Sequence, residues 1–294
     1  MLDKNLSLGF IGIGLMGKPM TLRLLATGYS VNVWNRSPEK LAEVVAAGAF
    51  AHNAIADVVK HSDVVLLCLA DTSVVEAVVI DHILPAGKPG KLVIDLSSID
   101  PDVTRKLATS LEQQCAMGWV DAPVSGGVTG AEQGSLAIMA GGSSAHIPIA
   151  RQVLAPLYRQ LTHMGDIGSG QITKICNQMI VGCNMLVIAE MMALAKQAGV
   201  DATQIPTALA GGFADSKPLQ IAGPEMAANN FEPVKWRVKT LLKDLNMAVE
   251  LSAKQRSAIP MSGLAAQLMQ LHGSHGYLEQ DPSTLINLFS KPDA

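Results

Sequence analysis

Three glycines near the start of the chain have the spacing of a dinucleotide-binding turn. Gly12, Gly14 and Gly17 form G-x-G-x-x-G in "GFIGIGLMGKPM", between an apolar run and a helical segment that ends at Gly28. In such a turn the first glycine permits the tight bend and the second admits a pyrophosphate close to the backbone. The third lets the helix pack on the strand, so that the phosphates meet the helix N-terminus. An ordinary glycine turn is the alternative, but the flanking strand and helix favour a dinucleotide site.

The end of the second apolar run indicates which dinucleotide would bind. An Asp or Glu about 20 residues after the glycines usually holds the free ribose 2′-hydroxyl of NAD. The segment "VNVWNRS" has Asn35 and Arg36 at that place instead. Because a guanidinium pairs well with a phosphate, we expect NADP(H) rather than NAD(H), with NAD as the alternative cofactor. The plainer interpretation of Arg36 is an exposed residue at a strand end.

The helical run after Gly170 contains the residue best suited to proton transfer. Lys174 lies near the start of "ITKICNQMIVGCNMLVIA", and a lysine in so apolar a helix is a candidate for burial and a lowered pKa. Asn177 and Gln178 follow three and four residues later, so their carboxamides share its helical face. On the residues alone, a lysine whose amine reaches solvent at a helix end is the simpler interpretation.

Two polar segments follow other predicted strands. In "DAPVSGG", Ser125, Gly126 and Gly127 come where backbone N–H groups can face an anion such as a carboxylate, although an ordinary glycine turn also fits. Ser98 follows "LVIDLS", and by itself it is typical of a helix cap before "DPDVTRKLA". Both segments are therefore candidates for binding without being assigned to it.

The elements that position these residues change in kind along the chain. From Leu8 to about Gly165, apolar runs alternate with helical segments, which predicts βα units around a parallel sheet. Beyond Gly170 only helical periodicity is found. The 294 residues also exceed what one compact core usually serves. We therefore predict two domains, residues 1–166 and residues 167–294.

The composition argues against several kinds of partner. Hydrophobic residues make up 49% of the chain and charged residues only 16%, which indicates large buried surfaces and a subunit interface. The net charge is −3, with no run of five like charges, so neither nucleic acid nor a membrane surface is expected. The four cysteines lack metal-binding spacing and no signal-peptide pattern is found, which predicts reduced thiols in a cytoplasmic protein. We expect a homodimer or homotetramer with a small-molecule substrate.

Three other features favour structural roles. The uncharged run Ile175–Ala189 has 15 residues, fewer than the roughly 20 that cross a membrane, and predicts a buried helix. His272 and His275 in "HGSHG" lack a third ligand, which predicts a solvated turn and no metal site. Trp236 is predicted to occupy a helical core position.

Taken together, four segments resemble the β-hydroxyacid dehydrogenase family, in the family's order. They are "GFIGIGLMGKPM", "DAPVSGGVTGAEQG", "GSGQITKICNQ" and "KDLNMA". The resemblance implies an α/β fold: a doubly wound Rossmann-type sheet domain, a long interdomain helix and an all-α C-terminal domain for substrate binding and dimerisation. It implies Lys174 as the catalytic residue. The implied substrate-binding residues are Ser125, Gly126, Gly127, Asn177, Gln178 and Asp244. The implied cofactor-binding residues are Gly12, Gly14, Leu15, Met16, Gly17, Asn35, Arg36, Leu69, Ala70, Ser98 and Lys243.

Two departures from the family pattern bear on specificity. Gln178 is a feature of the tartronate semialdehyde reductase branch, whereas some other members carry Asn at this position. Many members carry Pro where this chain has Ala70. The first departure leaves open whether Asn177 or Gln178 orients the substrate.

The resemblance implies an NADP(H)-dependent oxidoreductase that interconverts a short carboxylate-bearing aldehyde or keto acid and its hydroxy acid, of the tartronate semialdehyde reductase type. 3-Hydroxyisobutyrate dehydrogenase and glyoxylate/succinic semialdehyde reductase are the alternatives. Pocket shape distinguishes substrates that differ by one methyl or hydroxyl group by only about 1–3 kcal/mol, so the sequence does not identify the substrate. Imine reductases share the layout but typically lack the lysine. A further alternative is a cofactor-binding module that has lost catalysis. Such a module would show a replaced Lys174 or an added domain, and this sequence shows neither.

Overall fold

The computed structural model describes residues 6–290, and the chain divides into two compact units between Lys174 and Ile175. The first unit contains the strands, which are β1 (Ser7–Ile11), β2 (Ser30–Trp34), β3 (Phe50–Ala51), β4 (Val64–Leu67), β5 (Leu92–Asp95), β6 (Gly118–Asp121), β7 (Val124–Ser125), β8 (Leu136–Gly142) and β9 (Tyr158–Gly165). The α-helices are α1 (Gly17–Ala26), α2 (Ala42–Ala46), α3 (Ile55–Lys60), α4 (Thr72–Val78), α5 (Leu84–Ala86), α6 (Pro101–Cys115), α7 (Gly127–Gln133), α8 (Ile147–Leu154), α9 (Ser169–Gln197), α10 (Ile205–Leu209), α11 (Lys217–Ala228), α12 (Val238–Gln255) and α13 (Pro260–His272).

The order of the strands identifies the sheet as doubly wound. It runs β3-β2-β1-β4-β5-β6, and every neighbouring pair in this part is parallel. The order reverses between β1 and β4, and ligands of such sheets bind at the carboxyl ends of the strands beside this switch point. The glycine turn follows β1 directly. The predicted fold class, with helices after the sheet, is confirmed.

The sheet is nevertheless mixed, where the sequence predicted parallel strands throughout. β8 is antiparallel to β6 and β7, and β9 runs parallel to β8 at the far edge. The connection from β7 to β8 contains only the short helix α7, so the chain returns in the opposite direction. β9 was not predicted because most of its residues are exposed, which removes the apolar run that marks a buried strand.

Both faces of the sheet are covered by apolar cores. Phe10 and Leu66 belong to one buried cluster, and their neighbours Ile11 and Leu67 belong to another. Successive strand residues point to opposite faces, so a strand that is buried on both sides needs a continuous apolar run. This burial fixes the strand ends that present the polar residues.

The long helix α9 continues into the second unit, whose core is helical. Its residues Met185 and Met192 pack there with Leu241 of α12 and Met269 of α13. The prediction of a buried helix is only partly correct, because one face of α9 is exposed within a single chain. By length and composition alone α9 could cross a membrane, but a core helix of a soluble protein passes the same test, and 44% of its most apolar window is buried.

The exposed face of α9 is apolar. Ile180, Val187 and Leu194 recur every seven residues and are 66%, 55% and 66% exposed. We call these three residues the outer stripe. A face this apolar is unusual for a helix turned to water, since soluble helices normally carry polar residues there.

The prediction of a solvated turn is wrong for His272. This side chain is 1% exposed at the end of α13; its Nε2 lies 2.9 Å from Thr284 Oγ1, and its ring stacks on Tyr277. Residues 282–288 fold back over the helix end, which the local sequence does not reveal. His275 is exposed, and no group of three potential metal ligands occurs in the part of the chain that the structure describes. Trp236 packs against the second core but lies just before α12.

Candidate cofactor and catalytic site

The three glycines of the first turn have different surroundings. Gly12 has φ +104°, and a Cβ on it would collide with the Cys68 carbonyl, while a Cβ on Gly17 would collide with the Gly12 carbonyl. A Cβ on Gly14 would meet no described atom within 4 Å. Packing inside the protein therefore requires two of the glycines. The third leaves the backbone open to an approaching group, which fits a pyrophosphate.

The first turn of α1 adds a favourable electrostatic environment. Within residues 6–290 no side chain caps this turn, and it contains no acidic residue. No described side chain or acidic residue therefore offsets the positive end of the helix dipole, as in phosphate-binding helices. Leu15 is 60% exposed and Met16 half-buried beside it. The residues present fit the diphosphate of a dinucleotide.

Asn35 and Arg36 have distinct situations after β2. Asn35 Oδ1 accepts a hydrogen bond from Ile13 N at 2.9 Å, and its Nδ2 donates to Ser37 O at 2.8 Å. The Asn35 amide therefore ties the end of β2 to the glycine turn, a role that sequence reasoning missed. Arg36 is exposed, and no described carboxylate forms an ion pair with it. Its contact with a 2′-phosphate stays a prediction.

The ends of β4 and β5 are joined by a buried serine next to the predicted one. Leu69 N donates to Ser97 Oγ at 2.9 Å, and Ser97 is 3% exposed, whereas Ser98 is half-buried. The cap of α6 is Asp100, which accepts from Asp102 N and Val103 N, so Ser98 does not serve as the cap. Ser98 and Ala70 both follow strands at the carboxyl edge of the sheet, where the family resemblance assigns them to the cofactor.

A buried carboxylate holds the start of α9. Asp121, at the end of β6, accepts from Gly168 N at 2.8 Å and from Gln171 N at 3.0 Å. Burial raises the pKa of Asp121, and these two N–H groups act in the opposite direction. Gln171 is itself 1% exposed; its Nε2 donates to Ser97 O at 2.9 Å, and its Oε1 accepts from Ile99 N at 3.1 Å. Sequence reasoning missed both residues, although each lies within a quoted motif.

The segment assigned to the substrate carboxylate bends through two glycines. β7 ends at Ser125, and Gly126 and Gly127 follow with φ of +138° and +65°. A Cβ on Gly127 would meet no described atom within 4 Å. The turn is therefore open to a small anion, and the binding itself stays a prediction.

The polar residues of α9 and α12 form a connected chain in the second unit. Gln178 is 6% exposed; its Oε1 accepts from Asn177 Nδ2 at 2.8 Å, and its Nε2 donates to Asp244 Oδ2 at 2.5 Å. Asp244 is 2% exposed, and its Oδ1 lies 3.3 Å from Lys243 Nζ. Lys174, half-buried one turn before Asn177, is the last residue of the first unit. The structure thus brings together four of the predicted site residues in the second unit, namely Asn177, Gln178, Lys243 and Asp244.

Two family models together match nearly the whole chain. The NAD binding domain of 6-phosphogluconate dehydrogenase matches residues 7–165, and the NAD-binding domain of NADP-dependent 3-hydroxyisobutyrate dehydrogenase matches residues 168–289. The chain belongs to the β-hydroxyacid dehydrogenase family. As a member of it, the chain is an NAD(P)-dependent oxidoreductase that acts on a CH–OH group of a small molecule.

Individual relatives of this β-hydroxyacid dehydrogenase differ in their substrates. It is 32% identical to the 2-hydroxy-3-oxopropionate reductase of Escherichia coli, over 96% of both chains. It is 34% identical to the NAD-dependent L-serine dehydrogenase of Pseudomonas aeruginosa, over 96% of this chain and 97% of that one. The 3-hydroxyisobutyrate dehydrogenase of Mycobacterium tuberculosis, solved with L-serine, superimposes with a TM-score of 0.86 at 29% identity, covering 97% of this chain and 99% of that one.

Proposed function

We propose that this dehydrogenase uses NADP(H) to interconvert tartronate semialdehyde, or a close analogue, and the corresponding β-hydroxy acid. The observation that carries the proposal is Gln178, which stands where some members have Asn and is bound to Asp244 inside the second unit. The similar Escherichia coli reductase acts on 2-hydroxy-3-oxopropionate, another name for tartronate semialdehyde. Three compounds share one skeleton of a carboxylate, a substituted carbon and a CH₂OH group. They are the product of that reductase, L-serine and 3-hydroxyisobutyrate. They differ only in hydroxyl, amine or methyl on that carbon.

The cofactor would lie over the glycine turn, with Arg36 beside its ribose phosphate. The open backbone at Gly14 and the uncapped first turn of α1 support this placement of the diphosphate. A bound reduced nicotinamide supplies the hydride that a carbonyl carbon accepts. The exposed guanidinium supports a preference for NADP(H) over NAD(H).

Lys174 is proposed as the proton donor and acceptor. In reduction its ammonium gives a proton to the oxygen of the former carbonyl, which becomes the hydroxyl. In oxidation its neutral amine takes the hydroxyl proton. Its half-buried position one turn before Asn177 supports this role, because it places the amine on the same helical face as a carboxamide that can bind the substrate.

The substrate would be held at both ends. Ser125 and the following glycine turn are proposed to bind the carboxylate through backbone N–H groups and the hydroxyl. Of the two carboxamides left open by the sequence, we assign Asn177 to the substrate. Gln178 is buried, and its amide already spans from Asn177 to Asp244, so it is better placed to support Asn177.

A substrate panel tests the proposed reaction. Oxidation of glycerate, L-serine and 3-hydroxyisobutyrate, and reduction of tartronate semialdehyde, succinic semialdehyde, glyoxylate and a cyclic imine, are measured with both cofactors. We expect tartronate semialdehyde with NADPH to have the highest kcat/KM among the reductions, and glycerate with NADP⁺ the highest among the oxidations. A kcat/KM for L-serine or 3-hydroxyisobutyrate above that for glycerate would replace the proposed substrate while keeping the enzyme class. Turnover of the imine alone would overturn the proposal.

Two substitutions of Lys174 test its role. Lys174→Ala should lower kcat by about 10²- to 10⁴-fold and leave the Kd for NADPH nearly unchanged. Lys174→Arg keeps the positive charge but cannot act as a base, since guanidinium stays protonated at any working pH. If Lys174→Arg retains more than about a tenth of the wild-type oxidation rate, the acid/base role is wrong and only a charge that positions substrate remains.

A further inference from the structure

The carboxamide of Gln171 bridges two elements that the proposed function brings to the same reaction. One is the first turn of α9, which leads to Lys174, and the other is the segment Ser97–Ile99 after β5. Gln171 Nε2 donates to Ser97 O at 2.9 Å, and its Oε1 accepts from Ile99 N at 3.1 Å. The side chain therefore grips the backbone on both sides of Ser98.

The chemistry of the amide matches this task. A carboxamide presents a donor group (NH₂) and an acceptor oxygen side by side in one plane, so it can satisfy a C=O and an N–H two residues apart as a neighbouring strand would. All three partners are buried: Gln171 is 1%, Ser97 3% and Ile99 0% exposed. Hydrogen bonds without competing water are more rigid than exposed ones, and leaving either backbone group unsatisfied is costly.

The bridge is part of a larger network at the carboxyl edge of the sheet. Ser97 Oγ accepts from Leu69 N at the end of β4, and Gln171 N donates to Asp121 at the end of β6. The ends of three adjacent strands, β4, β5 and β6, are thereby fixed to the start of α9. A shift of Gln171 would move the segment that carries Ser98 against the turn that precedes Lys174.

We infer that Gln171 is a positioning residue of this dehydrogenase, which sets the Ser98 segment relative to Lys174. The inference rests on the proposed function, in which Lys174 transfers the proton and Ser98 lies on the cofactor side. It predicts that loss of the carboxamide lowers kcat more than it weakens cofactor binding, because the glycine turn that would hold the diphosphate is not touched. A displacement of about 1 Å can cost about 10²-fold in rate.

Gln171→Met, with a similar length and neither polar group, is compared with Asn32→Leu. Asn32 is a matched control: its buried carboxamide also donates to a backbone carbonyl, that of His61, but it lies away from the predicted site. We expect Gln171→Met to lower kcat by about 10²-fold, with the Kd for NADPH within about threefold of wild type. Asn32→Leu should lower the Tm comparably and leave kcat within about threefold. If Gln171→Met also keeps kcat within about threefold, the residue is only structural and the inference is wrong.

A measurement on the free protein separates this inference from the proposed function. In wild type the Ile99 N–H is bonded to Gln171 Oε1, so its hydrogen exchange should be faster in Gln171→Met than in Asn32→Leu of comparable Tm. Unchanged exchange at Ile99 in Gln171→Met would overturn the inference whatever the substrate is. A wild-type enzyme that turns over none of the panel would instead overturn the proposed function.

Gln171→Glu keeps the inference testable if Gln171→Met does not fold. A neutral carboxylic acid can still donate to Ser97 O and accept from Ile99 N, but an ionised carboxylate would face the Ser97 carbonyl with a second acceptor. Burial and the nearby carboxyls of Asp95 and Asp121 should raise the pKa of the new acid. Hydrogen exchange at Ile99 reports whether the bridge persists at a given pH, and kcat should stay within about threefold of wild type where it persists and fall where it does not. Wild-type kcat at a pH where the Ile99 N–H has lost its protection would contradict the positioning role.

Discussion

Two alanine substitutions in the same glycine turn should have opposite effects on stability and on cofactor binding. Gly14 has an ordinary backbone conformation and room for a Cβ, so Gly14→Ala should fold normally. Replacing such a glycine usually stabilises a protein by about 0.4–1 kcal/mol, because the unfolded chain loses conformational freedom. For a chain of this size that corresponds to a Tm increase of about 1–4 °C. In Gly17→Ala the Cβ would overlap the Gly12 carbonyl, and overpacking of this kind costs about 1–3 kcal/mol.

Cofactor binding should be weakened more by Gly14→Ala than by Gly17→Ala, which is the reverse of the order expected for loss of stability. The methyl group of Gly14→Ala would occupy the space through which the diphosphate reaches the backbone, and one lost hydrogen bond to a charged group is worth about 1.5–3 kcal/mol. The Kd for NADPH should therefore rise about tenfold to a hundredfold. Fluorescence titration gives the Kd, and thermal unfolding without cofactor gives the Tm. If Gly14→Ala binds NADPH as wild type does, or unfolds well below wild type, the assignment of this turn as the phosphate cradle is wrong.

Three further predictions concern separate parts of the chain. Burial, with a smaller contribution from His275, lowers the pKa of His272 from 6.5 to about 4. Between these two pH values the unfolded chain binds the proton and the folded chain does not. The free energy of unfolding should therefore be highest above about pH 6.5 and fall by at most about 3 kcal/mol towards pH 4. Urea unfolding of His272→Phe should lack that fall. Arg36→Ala should lower kcat/KM for NADPH at least about tenfold and leave that for NADH within about threefold; a wild-type preference for NADH would contradict it. We propose that the outer stripe forms a homo-oligomer contact, so light scattering should show a dimer or tetramer that Val187→Lys dissociates, and a monomeric wild type at micromolar concentration would refute this.

Sequence reasoning succeeded where the determining residues are close together in the chain. The glycine turn, β1 and α1 lie within 20 residues, and their spacing alone predicts both the conformation and the ligand class. The alternation of buried strands and helices likewise predicts the order of the elements, because each strand must present apolar residues to both faces of the sheet.

It failed where a polar contact joins distant segments. Gln171 and Ser97 are 74 residues apart, and Gln171 and Asp121 are 50 residues apart. Local pattern cannot show which buried polar groups will meet, although it can place each of them at a strand or helix end. The same reason explains His272, whose partner Thr284 comes from a segment that folds back over α13.

The edges of the sheet determine how copies of this protein can meet. One edge is β3, only two residues long, and the other is β9, in which exposed residues such as Arg159 and Gln160 predominate. Very short or polar edge strands are poor templates for adding a strand from another molecule. Assembly by extension of the sheet is therefore disfavoured, and so is the irreversible aggregation that follows from it. The homo-oligomer proposed above would instead use the outer stripe, where side-chain packing can close a symmetric assembly of limited size.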